Sequence, residues 1–156
     1  MIKVLFVCHG NICRSTMAQF VFQDMVNREG ISDSFYIDSA ATSREEIGNP
    51  PHYGTVRKLN EVGVPVLNHQ ARQLTKNDYE KYDYFIGMDS ANIRNMNRIL
   101  GFDPEEKIHK LLDYTDRKGD IADPWYTGNF DVTYQDVLEG CEQFLKYLKE
   151  INSELM

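Results

Sequence analysis

The chain has 156 residues, of which 42% are hydrophobic and 26% are charged, and its formal net charge is −7. These values are typical of one globular domain, which we expect to span residues 1–156. The negative charge argues against a nucleic-acid or anionic-membrane partner, and no apolar run is long enough to predict a transmembrane helix. Three cysteines, an odd count, favour a reducing compartment, so we expect a cytoplasmic protein.

The first element is a short apolar strand, Lys3–Val7, whose unbroken hydrophobic character is typical of a buried parallel strand. A stripe that includes Met17, Phe20 and Val21 then predicts a helix over Ser15–Arg28. The loop between them follows the carboxyl end of a strand and precedes the amino end of a helix. Loops in that position bind anions in α/β proteins.

This first loop reads Cys-His-Gly-Asn-Ile-Cys-Arg-Ser from Cys8 onward. Gly10 permits a tight turn and Asn11 tolerates a left-handed backbone, so the loop N–H groups can form a nest around an anion. Arg14 offers a planar fork for two phosphate oxygens. A cysteine in such a field is a strong nucleophile as the thiolate, and Ser15 can donate a hydrogen bond to its sulfur.

Strands and helices alternate along the rest of the chain, which predicts an α/β fold with one four-stranded parallel sheet flanked by helices. The further strands are predicted at Phe35–Asp38, Tyr84–Met88 and Lys107–Lys110. The further helices are predicted at Thr55–Glu61, Lys76–Tyr82, Ala91–Ile99 and Tyr134–Glu150. The long polar loops Ala40–Pro51 and Tyr114–Asn129 are expected to form two walls beside Cys8.

An acid candidate lies in the second of these loops. Asp123 precedes Pro124, which favours an extended backbone, and two aromatic residues, Trp125 and Tyr126, follow at once. Large aromatic side chains on a polar loop indicate the wall of a ligand site. Asp123 is therefore a candidate to protonate the leaving oxygen of a phosphate ester attacked by Cys8.

Other polar residues leave alternatives open. Asp89 either orients Arg14 or caps the helix that follows it. Cys141 lies on an apolar helical stripe and is predicted to be a buried, inert thiol. His52 and His109 have no evident partner and are predicted to be solvated.

The chain resembles the low-molecular-weight protein tyrosine phosphatases. The resemblance is carried by the loop from Val7 to Ser15 and by Asp123-Pro124-Trp125-Tyr126, with three segments between them at 38–43, 47–51 and 69–73. It covers nearly the whole chain in the right order. It implies a single-domain α/β fold with the phosphate loop between the first strand and the first helix.

The resemblance also implies a mechanism. Cys8 would attack phosphorus and form a phosphocysteine, while Arg14 and the loop amides hold the phosphate oxygens. Asp123 would protonate the leaving phenolate and then activate water. Neither a metal nor another cofactor is implied, because Arg14 and the amides supply the positive field.

Further site residues follow from the same resemblance. The expected substrate-binding residues are His9, Gly10, Asn11, Ile12, Cys13, Ser15, Glu45, Trp125 and Tyr126. Ser39 and His69 match residues that support the loop through hydrogen bonds with Asn11 and Ser15. Cys13 matches a cysteine that pairs reversibly with Cys8 under oxidation.

The resemblance also bears on specificity. Ile12 lies where family members that act on phosphoarginine tend to carry threonine, which favours phosphotyrosine. Glu45 lies where eukaryotic relatives usually place an aromatic residue, and His9 where they often place an apolar one. Glu45 either repels acidic phosphopeptides or points to solvent.

The expected partners are phosphotyrosine-containing proteins. A tyrosine kinase is a further expected partner, because Tyr126 matches a tyrosine that is phosphorylated in some relatives. Exposed Trp125 and Tyr126 favour a monomer or a weak dimer.

Two other functions compete on the residues alone. Arsenate reduction on this fold needs resolving cysteines downstream, and none occurs between Asn68 and Asp120. A phosphocysteine carrier or a phosphate-binding module would not need Asp123 with its aromatic neighbours.

Overall fold

The structure, a computed structural model, describes residues 1–155 and contains a four-stranded parallel sheet with strand order β2-β1-β3-β4. The strands are β1 Ile2–Cys8, β2 Phe35–Ala41, β3 Tyr84–Gly87 and β4 Ile108–Lys110. The register of β1 against β2 runs from Ile2 opposite Phe35 to Cys8 opposite Ala41. The predicted α/β fold and parallel sheet are confirmed.

Five α-helices are present in the described part of the chain. They are α1 Arg14–Arg28, α2 Tyr53–Val62, α3 Ser90–Leu100, α4 Pro124–Thr127 and α5 Phe130–Ile151. Short 3₁₀ turns occur at Ser32–Ser34, Lys76–Glu80, Leu111–Tyr114 and Ser153–Leu155. Among residues 1–155, no helix combines the length and the apolar character needed to cross a membrane.

Alternate residues of β1 face two different layers of the core. Val4 and Phe6 pack in the cluster that contains α1 and α5, whereas Leu5 and Val7 pack in the cluster that contains α3. All four are fully buried. This two-sided burial is why the strand reads as an unbroken apolar run.

Some predicted boundaries were wrong. The helix predicted at Lys76–Tyr82 is a 3₁₀ turn over Lys76–Glu80, in which the side chain of Asp78 accepts from Thr75 N at 2.8 Å and closes a single short turn. Helix α5 begins four residues before the predicted Tyr134, because the side chain of Asn129 accepts a hydrogen bond from Val132 N and caps it there.

The strand order creates a crevice at the carboxyl end of β1. The chain crosses from β1 to β2 on one side and later returns to β3 on the other. In open α/β sheets this switch point is where ligands bind. Cys8, the last residue of β1, and Asp89, which follows β3, therefore lie at the same edge of the sheet.

Candidate active site

The floor of the site is the loop that joins β1 to α1. Three hydrogen-bond donors converge on the sulfur of Cys8, which is 3% exposed. The N–H groups of Asn11 and Ser15 lie 3.3 and 3.4 Å from Sγ, and the Ser15 hydroxyl lies 3.0 Å away. This arrangement stabilises negative charge on the sulfur.

Asn11 holds the loop in its shape. Its φ of 62° lies in the left-handed region, which asparagine tolerates better than most residues. Its Nδ2 donates to Ser15 Oγ at 2.8 Å and to Ser39 Oγ at 2.9 Å. Because Ser15 Oγ accepts from Asn11, its own proton is free to point at Cys8.

Two further residues complete this buried network. His69 Nε2 lies 2.8 Å from Asn11 Oδ1, an acceptor, so Nε2 is the donor. Burial lowers the pKa of His69 despite the nearby charge of Asp38, which keeps the ring neutral. Ser39 Oγ donates to Gln19 Oε1. Gln19 was not predicted as a site residue, although a polar side chain on the buried face of α1 could have indicated it.

Arg14 is the first residue of α1, where the loop ends, and is 2% exposed. Its Nη1 donates to Asp89 Oδ2 at 2.6 Å and to the carbonyl of Ile121 at 2.8 Å. Its Nη2 lies 3.5 Å from Asp123 Oδ2. Within the described residues, the buried Nε has no hydrogen-bond partner. An unpaired buried donor is costly, and a phosphate oxygen would satisfy it.

Asp89 performs both roles that the sequence left open. Its Oδ1 accepts from Asn92 N at 2.8 Å and caps α3, while its Oδ2 binds Arg14. The Asp89 carboxylate therefore links the Arg14 guanidinium to the first turn of α3, the helix that follows β3.

Asp123 caps the short helix α4. Its Oδ1 accepts from Trp125 N at 3.0 Å, and Pro124 provides the first helical residue, as is common at such positions. The other carboxylate oxygen faces Arg14. Asp123 thus lies beside the cavity above Cys8, with its side chain 22% exposed.

The cavity above the loop has a volume of about 100 Å³. It is lined by Cys8, His9, Gly10, Ile12, Cys13, Glu45, Glu46, Asp123, Trp125 and Tyr126. Most of the residues predicted to bind substrate are brought together here. Asn11 and Ser15 are not, because their fully buried side chains belong to the supporting network. Glu46 was missed, since nothing in the sequence distinguishes it from its neighbour Glu45.

The rim near Glu45 is tied to the phosphate loop. Ser43 N and Ser43 Oγ both donate to the carbonyl of His9, at 3.1 and 2.8 Å. Glu45 itself contacts His9 Nε2, and both side chains are exposed. The carboxylate is therefore held over the mouth of the cavity by His9.

The prediction that His52 is solvated was wrong. Its Nδ1 accepts from Gly54 N at 3.0 Å and caps α2. Its ring stacks on Phe130, with centroids 5.4 Å apart, and meets the edge of Trp125 at 5.6 Å. Phe130 is 78 residues further along the chain, so no local pattern could have indicated this contact. His109 does have a partner, the carbonyl of Glu106.

All three cysteines carry free thiols. Burial, helped by the charges of Cys8 and Asp123, raises the pKa of Cys13 to about 12. Burial also raises the pKa of Cys141, which lies in the core as predicted. Reversible pairing of Cys8 with Cys13 stays a prediction.

The fold and the site together define an α/β protein with a cysteine at the centre of a phosphate loop. A family model described as "Low molecular weight phosphotyrosine protein phosphatase" matches residues 3–154. The chain belongs to this family and is an enzyme of the protein-tyrosine phosphatase type.

Individual relatives agree with this assignment. The chain is 41% identical over 152 residues to YfkJ, a low molecular weight protein-tyrosine-phosphatase of Bacillus subtilis, with 96% of this chain and 97% of that protein covered. The human low molecular weight phosphotyrosine protein phosphatase is 42% identical over 149 residues, covering 92% and 94%. The crystal structure of YfkJ superposes with a TM-score of 0.94, covering 97% of both chains.

Proposed function

We propose that this protein hydrolyses phosphotyrosine in protein substrates through a phosphocysteine intermediate on Cys8. The observation that carries the proposal is the convergence of three donors on Cys8 Sγ. Arg14 lies at the end of the same loop and Asp123 beside the same cavity. Nucleophile, anion clamp and acid are the three parts that this reaction requires.

The first step transfers the phosphoryl group to the enzyme. The Cys8 thiolate forms a bond to phosphorus as the bond from phosphorus to the phenolic oxygen breaks. Asp123 gives its proton to the departing oxygen. The loop N–H groups and Arg14, including its unpartnered Nε, hold the three remaining oxygens.

The second step returns the enzyme to its starting state. Asp123, now ionised, takes a proton from water while the water oxygen forms a bond to phosphorus. The bond from phosphorus to sulfur breaks, and Cys8 leaves as the thiolate. The Ser15 hydroxyl, 3.0 Å from Sγ, stabilises this leaving group.

The walls of the cavity support phosphotyrosine over phosphoarginine and phosphoserine. Trp125 and Tyr126 form an aromatic wall suited to a flat ring, and Ile12 adds an apolar contact at the base. His9, Gly10, Cys13 and Glu45 line the remainder.

Finer aspects of the proposal concern partners and location. Trp125 and Tyr126 are 55% and 81% exposed, which supports a monomer or weak dimer and leaves Tyr126 open to a tyrosine kinase. The odd cysteine count supports a cytoplasmic location.

Kinetics with EDTA present test the function. Phosphotyrosine, phosphoserine and phosphoarginine are compared for wild type, Cys8→Ser and a control cysteine variant, Cys141→Ala. We expect selective turnover of phosphotyrosine that is lost only in Cys8→Ser. Preferred turnover of phosphoarginine would overturn the assignment of substrate, and turnover by Cys8→Ser near the wild-type rate would overturn the assignment of nucleophile.

A further inference from the structure

His52 lies where three parts of the site meet, namely the phosphate loop, the start of α5 and the short helix α4 that follows Asp123. We propose that His52 is a positioning residue for the phosphatase reaction. Its ring holds Trp125, and with it the acid-bearing segment, at the distance from the phosphate loop that suits a phenyl phosphate. The kinetic part of this inference rests on the proposed function.

The backbone and the side chain of His52 are both fixed. Its N–H donates to the carbonyl of Ile12 in the phosphate loop at 2.8 Å. Its Nδ1 accepts from Gly54 N at 3.0 Å. The first bond ties the residue to the floor of the site, and the second sets the direction of the ring.

The ring is packed against aromatic partners from two other elements. It stacks on Phe130, with 16° between the ring planes, and presents its edge to Trp125 at 77°. Phe130 in turn packs against the apolar cluster that Ile12 and Cys13 of the phosphate loop form with Ala71. His52 therefore completes a continuous contact from the floor through Phe130 to the aromatic wall.

The stacking of His52 on Phe130 requires the small residue Gly54, two positions after His52. A Cβ at Gly54 would lie 2.4 Å from the ring of Phe130, so only glycine allows α2 to approach α5 this closely. Among the described residues, His52 is the aromatic ring packed against Trp125. Trp125 is more than half exposed, so this contact is a large part of what restrains its ring.

The position of Trp125 is coupled to the position of the acid. Asp123 Oδ1 accepts from Trp125 N at 3.0 Å, and the two residues belong to the same turn. A ring that loses its contact with His52 allows the whole turn to shift. The slot for the phenyl ring would then widen and Asp123 would lie less well aligned with the leaving oxygen.

Two substitutions test separately the aromatic ring of His52 and the hydrogen bond by which it caps α2. His52→Asn keeps a side-chain acceptor for Gly54 N but removes the ring, whereas His52→Phe keeps the ring but removes the acceptor. We expect His52→Asn to raise KM for phosphotyrosine several-fold and to lower kcat, with the Ki of inorganic phosphate unchanged. We expect His52→Phe to lower Tm while KM stays near wild type.

A second measurement does not depend on activity. Trp125 is the single tryptophan of the chain, so its fluorescence reports on this wall alone. His52→Asn should shift the emission and increase quenching by acrylamide, and His52→Phe should not. His109→Asn, a change at a histidine packed against Tyr114 instead, is the matched control.

The outcomes are distinct. If the changes in KM and in acrylamide quenching parallel the change in Tm in both variants, His52 has only a structural role and the inference is wrong. The inference is also wrong if His52→Asn leaves Trp125 fluorescence unchanged. If wild type hydrolyses no phosphotyrosine while His52→Asn still alters Trp125, the proposed function fails and the positioning of the wall remains.

Discussion

The floor and the rim of the cavity are built in opposite ways. On the floor, Cys8, Asn11, Arg14 and Ser15 are at most 3% exposed. Cys8, Asn11 and Ser15 share one hydrogen-bond network, and Arg14 donates separately to Asp89 and the carbonyl of Ile121. On the rim, Trp125 is 55% exposed and the carboxylate of Glu45 meets His9 in open solvent.

This difference assigns different tasks to the two regions. Buried groups that are hydrogen-bonded to one another hold their geometry well and strengthen each other in a low dielectric. Exposed groups are screened by water and salt, so each contributes little. Changes on the floor should therefore alter the chemistry by orders of magnitude, and changes on the rim should alter the choice of substrate by small factors.

Arg14→Lys should have the largest effect. Lysine keeps the charge but lacks the planar fork that binds two oxygens and Asp89 together. We expect kcat/KM for p-nitrophenyl phosphate to fall about 10³-fold, as for loss of a transition-state donor. Asp89→Asn retains the cap on α3 through Oδ1, so its kcat/KM should fall much less. A loss in Asp89→Asn as large as in Arg14→Lys would contradict the clamp role.

Asp123→Asn tests the acid at the boundary between floor and rim. Asparagine keeps an oxygen to cap Trp125 N, so α4 should stay in place. We expect the turnover of phosphotyrosine to fall about 10²-fold or more. The turnover of p-nitrophenyl phosphate should fall much less, because its leaving group needs little protonation. Equal losses for the two substrates would argue against protonation by Asp123.

Local sequence patterns were a good guide to the floor, whereas the distant residues that hold the site together were indicated only by the family resemblance, as for Ser39 and His69, or were missed. Cys8, Gly10 and Arg14 lie within one short loop, where local conformation and chemistry coincide. Gln19 and His52 act through Ser39 and Trp125, partners distant along the chain that meet only after the sheet and helices pack. Such contacts depend on tertiary packing, which no short pattern encodes.

Asn11 allows the backbone and the network of the floor to be tested separately. Asn11→Gly keeps the φ of 62° accessible, whereas Asn11→Ala does not, and both remove the bonds to Ser15 and Ser39. We expect both to lower kcat about ten-fold or more, because each lost hydrogen bond contributes about 0.5–1.5 kcal/mol. Asn11→Ala should also be less stable than Asn11→Gly by about 1–2 kcal/mol. Equal urea midpoints would show that the left-handed residue carries no strain.

The charged rim should produce the smallest effects, and it decides between the two hypotheses for Glu45. Glu45 and Glu46 line one side of the cavity, where His9 is the only basic lining residue in the part of the chain described. Arg44 turns away and donates to Gln73. If the carboxylates act on substrate, phosphotyrosine peptides with lysine beside the phosphotyrosine should be preferred to matched peptides with glutamate.

The preference should be about 1.5- to 5-fold per charge, the scale of exposed ion pairs, and should decline as salt is added. Glu45→Gln combined with Glu46→Gln should bring the ratio of kcat/KM values towards one, while Glu150→Gln, an exposed change on α5, should leave it as in wild type. A ratio of one in wild type would mean that Glu45 only faces solvent. Because the floor is common to both peptides, the ratio isolates the rim from the chemistry beneath it.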